Sequence, residues 1–249
     1  MTSGSSVPRL EQIDELTRGI KLPLAALHEE HLSLIAEVVA QAWDDLSRTQ
    51  LGTLAVGSEA EINALLEARL SHLIDENPLW EQLVRSVVRG KETISFNGAK
   101  LENRPDLSIF LSGRSPAFPL AVECKLIDAS NGKSGTLYCK NGLCRFLAGE
   151  YAWTGRDAFM LAYVRDQSTF ESCLLPILAA GRTTNPDPFA VRDWPVARRH
   201  KELDLTTTKH DRAFRYLNRA TPADEPGPIA IWHLWLVTPV DRHMRDLGA

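Results

Sequence analysis

Pro105-Asp-Leu-Ser-Ile-Phe-Leu-Ser-Gly-Arg-Ser-Pro-Ala-Phe-Pro-Leu-Ala-Val-Glu-Cys-Lys-Leu-Ile127 decides how this chain is read. Two apolar runs, 107–111 and 117–127, flank Gly113-Arg-Ser-Pro116, a turn by composition. The pattern predicts a β-hairpin. Strand side chains alternate faces with a period of two. On the second strand Leu120, Val122, Cys124 and Leu126 share one face, and Ala121, Glu123, Lys125 and Ile127 share the other. On the first strand Asp106, Ser108 and Phe110 lie opposite to Leu107, Ile109 and Leu111. Pairing the two strands brings Asp106, Glu123 and Lys125 to one side of the sheet, with an apolar face behind them.

Two neighbouring carboxylates repel unless a cation lies between them. A hard, oxygen-seeking ion, Mg²⁺ or Mn²⁺, suits that place. A lysine beside it positions or deprotonates a water, and its charged form is expected to be disfavoured by the metal and by Ala121 and Ile127. The bland alternative is a surface Asp and a cross-strand Glu/Lys pair on a solvated face. The apolar flanks speak against it, because a solvated face is usually polar throughout.

Asp106, followed after sixteen intervening residues by Glu123-Cys-Lys125, resembles the PD-(D/E)xK nuclease signature of restriction-endonuclease-like folds. The resemblance covers residues 58–165. It implies an α/β (α+β) core, a central mixed β-sheet flanked by helices, here with an N-terminal helical extension over residues 1–57. Residues 58–249 would form the nuclease domain. It also implies a Mg²⁺-dependent endonuclease in which Asp106, Glu123 and the Cys124 backbone carbonyl hold the metal and Lys125 acts on the water.

Ser58-Glu-Ala-Glu61 opens a helical pattern whose stripe is Ile62, Leu65, Leu66, Leu70 and Leu73. Ser58 with Glu61 makes a capping box, which occupies Glu61 at the helix start. At about 100° per residue, Glu59 lies roughly 40° from the stripe centre and Glu61 roughly 120°. Family members often carry a first-helix glutamate that reaches the metal. Glu59 matches that role, and is otherwise a first-turn acid favoured by the helix dipole.

Around these motifs the chain reads as a succession of short elements. Residues 24–46 and 78–88 have helical patterns, and 92–96 reads as a first strand ended by Asn97-Gly98. Asn141-Gly142 is expected to break the chain before a helix from Leu143 onward. Residues 157–164 read as a central strand, 168–180 as a helix, 181–208 as an irregular excursion and 228–238 as a final strand. Lys140 and Arg145 stand where a phosphate can approach, and His210 and Arg212 are further substrate-contact candidates.

The chain has 249 residues, 44% hydrophobic and 24% charged, ordinary for a globular protein. Net charge is −4. Residues 1–84 hold 5 basic and 14 acidic side chains, whereas residues 85–249 hold 23 and 18. The basic excess, with clusters at Arg192, Arg198, Arg199, His200, Lys201 and at Lys209, His210, Arg212, Arg215, Arg219 that can neutralise phosphates, therefore begins where the expected catalytic core does. Cysteines 124, 139, 144 and 173 lack zinc-like spacing and read as reduced thiols. No secretory signal or bilayer-spanning run is visible, residues 1–8 read as a disordered tail, and a cytoplasmic protein is expected. No P-loop is present, so any ATP-driven or recognition function falls to a partner. A homodimer is compatible with the resemblance. The expected partner is nucleic acid, DNA before RNA, in restriction or phage defence. The competing expectation is a non-catalytic scaffold or nucleic-acid-binding subunit of the same fold.

Overall fold

The computed structural model describes residues 10–100, 102–197, 203–216 and 225–239. Apolar and β-branched runs form a seven-stranded mixed sheet of order β1-β2-β3-β4-β7-β6-β5. The strands are β1 (Val84–Arg89), β2 (Leu107–Leu111), β3 (Leu120–Ile127), β4 (Asp157–Val164), β5 (Val191–Ala197), β6 (Asp204–His210) and β7 (Ile229–Val237). β3, β4 and β7 run parallel at the centre, and antiparallel pairs complete both sides. A parallel centre needs cover on both faces. Every residue of β4 is accordingly buried.

Cover comes from helices on either side. α1 (Leu10–Thr17), α2 (Glu29–Thr49), α3 (Leu51–Val56), α4 (Glu59–Glu76) and α5 (Pro78–Leu83) precede the hairpin. Ile35, Trp43, Leu66 and Leu70 of α2 and α4 pack against Val122, Cys124, Phe159 and Leu161. On the opposite face α6 (Gly135–Tyr138), α7 (Cys144–Leu147) and α8 (Leu175–Arg182) bring Tyr138, Phe146 and Leu178 onto Ala121, Met160 and Ala162. The predicted alternation of β3 is thus the division between two cores. Each fully buried Leu or Ile of α4 contributes roughly 1.5–3 kcal/mol relative to exposure. The fold is a mixed α/β sheet flanked by helices, with a helical N-terminal part. Among the described residues no helix is long and apolar enough to cross a membrane.

The hairpin, the strands at 157–164 and 228–238, and the helix after Ser58 lie where the sequence pattern puts them. Other elements differ. The helix expected over 78–88 stops at Leu83, and Val84–Arg89 is the first strand. Val84, Val87 and Val88 are β-branched, and pairing with β2 outweighs the helical spacing. Residues 92–96 are no strand, and Thr93 makes only an isolated bridge to Asn103. Asn141-Gly142 does not break the chain. A π-helical turn, Cys139–Leu143, carries it from α6 into α7. The helix expected from Leu24 begins at Glu29, and a further short helix, α3, separates it from α4. The stretch 181–208 is not wholly irregular, since it holds β5 and the start of β6. The expectations for residues 1–8, for Arg198, Arg199, His200, Lys201 and for Arg219 lie outside the described residues.

Candidate active site

β2 pairs with β3 only over Leu107–Ile109, with Leu107 opposite Val122. Asp106 therefore stands at the strand end, level with Glu123. Beyond that point the β3 backbone has no β2 partner, and buried N–H groups must find other acceptors. The Cys124 N–H donates to Asp106 Oδ2 at 2.8 Å, and the Leu126 N–H donates to Glu59 Oε2 at 3.1 Å. Two carboxylates replace the missing ladder and are themselves held by it.

Lys125 closes the arrangement. Its Nζ lies 2.8 Å from Glu123 Oε1, 3.5 Å from Asp106 Oδ2 and 3.8 Å from Glu59 Oε2. It also donates to the Cys124 carbonyl at 2.8 Å. Glu123 is 1% exposed, the deepest of the three acids. Burial, then the neighbouring Asp106, pushes its carboxyl up to about 7, against the opposing pull of Lys125 and Arg145. Lys125 goes the other way from the sequence expectation. Burial works against its charge, but Glu123 and Asp106 outweigh it, so the ammonium is held more firmly than usual.

Helix α4 supplies Glu59 and, one turn later, Asn63. Ser58 Oγ accepts from the Glu61 N–H while Glu61 Oε2 accepts from the Ser58 N–H, so Glu61 is spent on the cap and Glu59 is free to turn inward. Asn63 Nδ2 donates to Asp106 Oδ1 at 3.0 Å, and Tyr163 on β4 donates to Asn63 Oδ1 at 2.7 Å. Asn63 was missed as a site residue. Its signal was a polar residue inside the apolar stripe, at the i+4 position from Glu59.

The π turn brings in the rest. Gly142 packs directly on the site: an added Cβ would lie 3.5 Å from Glu123 Cγ, 3.7 Å from Lys125 Cγ and in collision with Met160 Cε. Arg145 Nη1 lies 3.4 Å from Glu123 Oε1 and donates to the Tyr151 hydroxyl at 2.6 Å. Lys140 is exposed on the same turn. Two candidates are elsewhere. His210 is fully buried on β6, its Nδ1 bonded to the Phe189 carbonyl and its Nε2 to Thr208, so it is a core histidine and no substrate contact. Arg212 spends its guanidinium on the carbonyls of Gly227, Pro226 and Ala152 and fastens loops. The described members of the basic clusters are paired as well, Arg192 with Asp211, Lys209 with Asp193 and Arg215 with Glu225.

Among the described residues no three His, Cys, Asp or Glu side chains form a metal cage as they stand. The Lys125 ammonium takes the central place instead. The donors around it are nonetheless all oxygens, which suits a hard cation. Glu123 Oε2 is buried without a hydrogen-bond partner. An orphaned carboxylate oxygen is costly in a finished structural cluster and useful in one that receives a cation. No family model, curated protein or solved structure matches the chain.

Proposed function

We propose that the chain is a metal-dependent nuclease that hydrolyses phosphodiester bonds of nucleic acid, with DNA as the expected substrate and restriction or phage defence as the setting. The observation that supports this reading is the convergence of Asp106, Glu123 and Glu59 on the Lys125 ammonium at one end of β3. Three acids against Lys125 and Arg145 leave the acids in excess, which disfavours a phosphate diester. Asp106, Glu123, Glu59 and the Cys124 carbonyl would hold Mg²⁺ or Mn²⁺, which when bound supplies positive charge to the phosphoryl oxygens and lowers the pKa of a water.

The remaining work belongs to the chain. Asn63 and the Cys124 N–H fix the Asp106 carboxylate, and the Leu126 N–H fixes Glu59. Preorganised groups of this kind avoid reorganisation during reaction. Lys125, released from its carboxylates, orients the attacking water and takes part in moving its proton. Arg145 and Lys140 lie on the open side, where a scissile phosphate enters. The water oxygen bonds to phosphorus as the bond to the leaving oxygen breaks, and that oxygen takes up a proton.

The test is incubation with plasmid, linear duplex, single-stranded DNA and RNA in Mg²⁺, Mn²⁺ or EDTA. Cleavage that needs the metal and disappears in Asp106→Asn and Glu123→Gln supports the reading. Absence of cleavage of all four substrates sinks it. A second reading has its own observation, since the ion pairs of Lys125 already satisfy much of the cluster without a metal. On that reading the chain is a non-catalytic scaffold or binding subunit, and calorimetric titration with Mg²⁺ and Mn²⁺ detects no binding.

A further inference from the structure

A cavity of about 480 Å³ opens beside the carboxylate cluster. Its floor includes Ser108 and Ala121, which face each other across the β2–β3 ladder. Each is two residues along its strand from an acid of the site, on the same face, roughly 7 Å away at the usual strand rise. The cavity exists because both floor residues are small. Its walls are aromatic and apolar, with Phe118, Tyr151 and Trp153 among them. Tyr151 also accepts the Arg145 hydrogen bond, so one wall is shared with the cluster.

Two features say what enters. Ser108 is fully buried, and its hydroxyl has no hydrogen-bond partner. The hydroxyl lies just beneath the cavity surface rather than on it, so a ligand with a polar edge satisfies it only as the small floor residues give way. The rim carries Glu15, Glu92 and Glu150, paired outward with Arg18, Arg104 and Lys100. Among the described residues Lys91 is the single basic lining one. The other rim cations are already spent on these carboxylates and the walls are apolar, so the part of a nucleotide that fits is its uncharged one.

We propose that this cavity takes one unstacked nucleobase of the substrate strand, seated between aromatic walls over Ser108 and Ala121, while the phosphate one sugar away lies at Asp106 and Glu123. The inference rests on the nuclease reading for its substrate. Bases taken out of a stack are bound by aromatic side chains and by hydrogen bonds to their edges. The enzyme would then favour single strands, or duplex positions where a base is easily extruded.

The experiment titrates deoxyadenosine, deoxyguanosine, deoxycytidine and thymidine into the full chain in EDTA, with deoxyribose as control, by calorimetry and saturation-transfer NMR. At least one nucleoside binds and deoxyribose does not. Ala121→Leu, which fills the cavity, weakens that binding at least tenfold while the melting temperature holds or rises, and Ser108→Ala weakens it several-fold. If Ala121→Leu does not fold, Ser108→Val fills the same floor with a strand-forming side chain. The proposal is overturned if no nucleoside binds better than deoxyribose, or if a folded, filled variant binds as the parent does. Metal-dependent cleavage without nucleoside binding removes the pocket and leaves the nuclease. Nucleoside binding without cleavage of any substrate keeps the pocket and removes the nuclease.

Discussion

Asn63 Nδ2 stands 3.0 Å from Asp106 Oδ1, and this contact ties the first acid of the proposed site to the helix that carries Glu59. A carboxylate only accepts, so the amide nitrogen must face it and the amide oxygen must face Tyr163. Tyr163 is in turn stacked on Trp43, ring centroids 5.2 Å apart. Asn63→Leu takes the amide acceptor from the buried Tyr163 hydroxyl and one donor from Asp106. It should cost roughly 1–3 kcal/mol and slow cleavage more than Tyr163→Phe does. Equal cleavage rates in both variants and the parent would show that Asp106 needs no such support.

Glu59 and Glu61 separate two jobs two residues apart. Glu59→Gln should lower the cleavage rate with little change in melting, because the amide oxygen can still accept from Leu126 while the charge is gone. Glu61→Ala should lower the melting temperature and leave the chemistry intact, because only the capping box is lost. The reverse pattern in paired melting and cleavage measurements would contradict the assignment.

Lys125→Met removes the cation from three acids. In EDTA the variant should melt below the parent, and Mg²⁺ or Mn²⁺ should restore part of the loss. Lower pH should restore it too, since the Glu123 carboxyl, already pushed up to about 7, then takes up a proton. Cleavage at saturating substrate should fall by roughly 10² or more, the scale of a positioned acid–base group. A variant that cleaves normally once saturated would make Lys125 a binding residue.

His210 predicts an acid limb in stability unrelated to the carboxylate cluster. Burial brings its pKa from 6.5 down to about 4, and burial, then the neighbouring His210, lowers His233 beside Thr208 as well. The folded pKa is below the unfolded one, so the contribution is full above pH 6.5 and is lost as pH falls toward 4. The His210 share is roughly 3 kcal/mol. Denaturant unfolding from pH 7.5 to pH 4 should show this decline, reduced in His210→Gln. A flat profile would mean that the buried pair is charged or hydrated.

Gly142→Ala should destabilise the fold and disturb the site together. The added methyl meets the Met160 side chain and presses toward Glu123 and Lys125. Loss of stability with unaltered metal affinity would show that the π turn can shift without moving the acids.

The residue order alone determined what depends on local periodicity. The hairpin, the two faces of β3, the capping box at Ser58 and the inward turn of Glu59 all follow from repeats of two and of about 3.6 residues, which short-range sterics enforce. What pairs with what over long separations was decided by the tertiary structure. Val84–Arg89 became a strand because β2 offered it a ladder, and Asn141-Gly142 stayed helical because Gly142 had to pass close over Glu123 and Met160. His210 and Arg212 look like surface cations in sequence, yet the sheet order buries the first between Thr208 and Phe189 and turns the second onto loop carbonyls. Asn63, forty-three positions from Asp106, meets it only because α4 crosses the end of the hairpin. Such contacts are selected by packing of whole elements, whose energy is summed over many residues and is written in no single stretch of the chain.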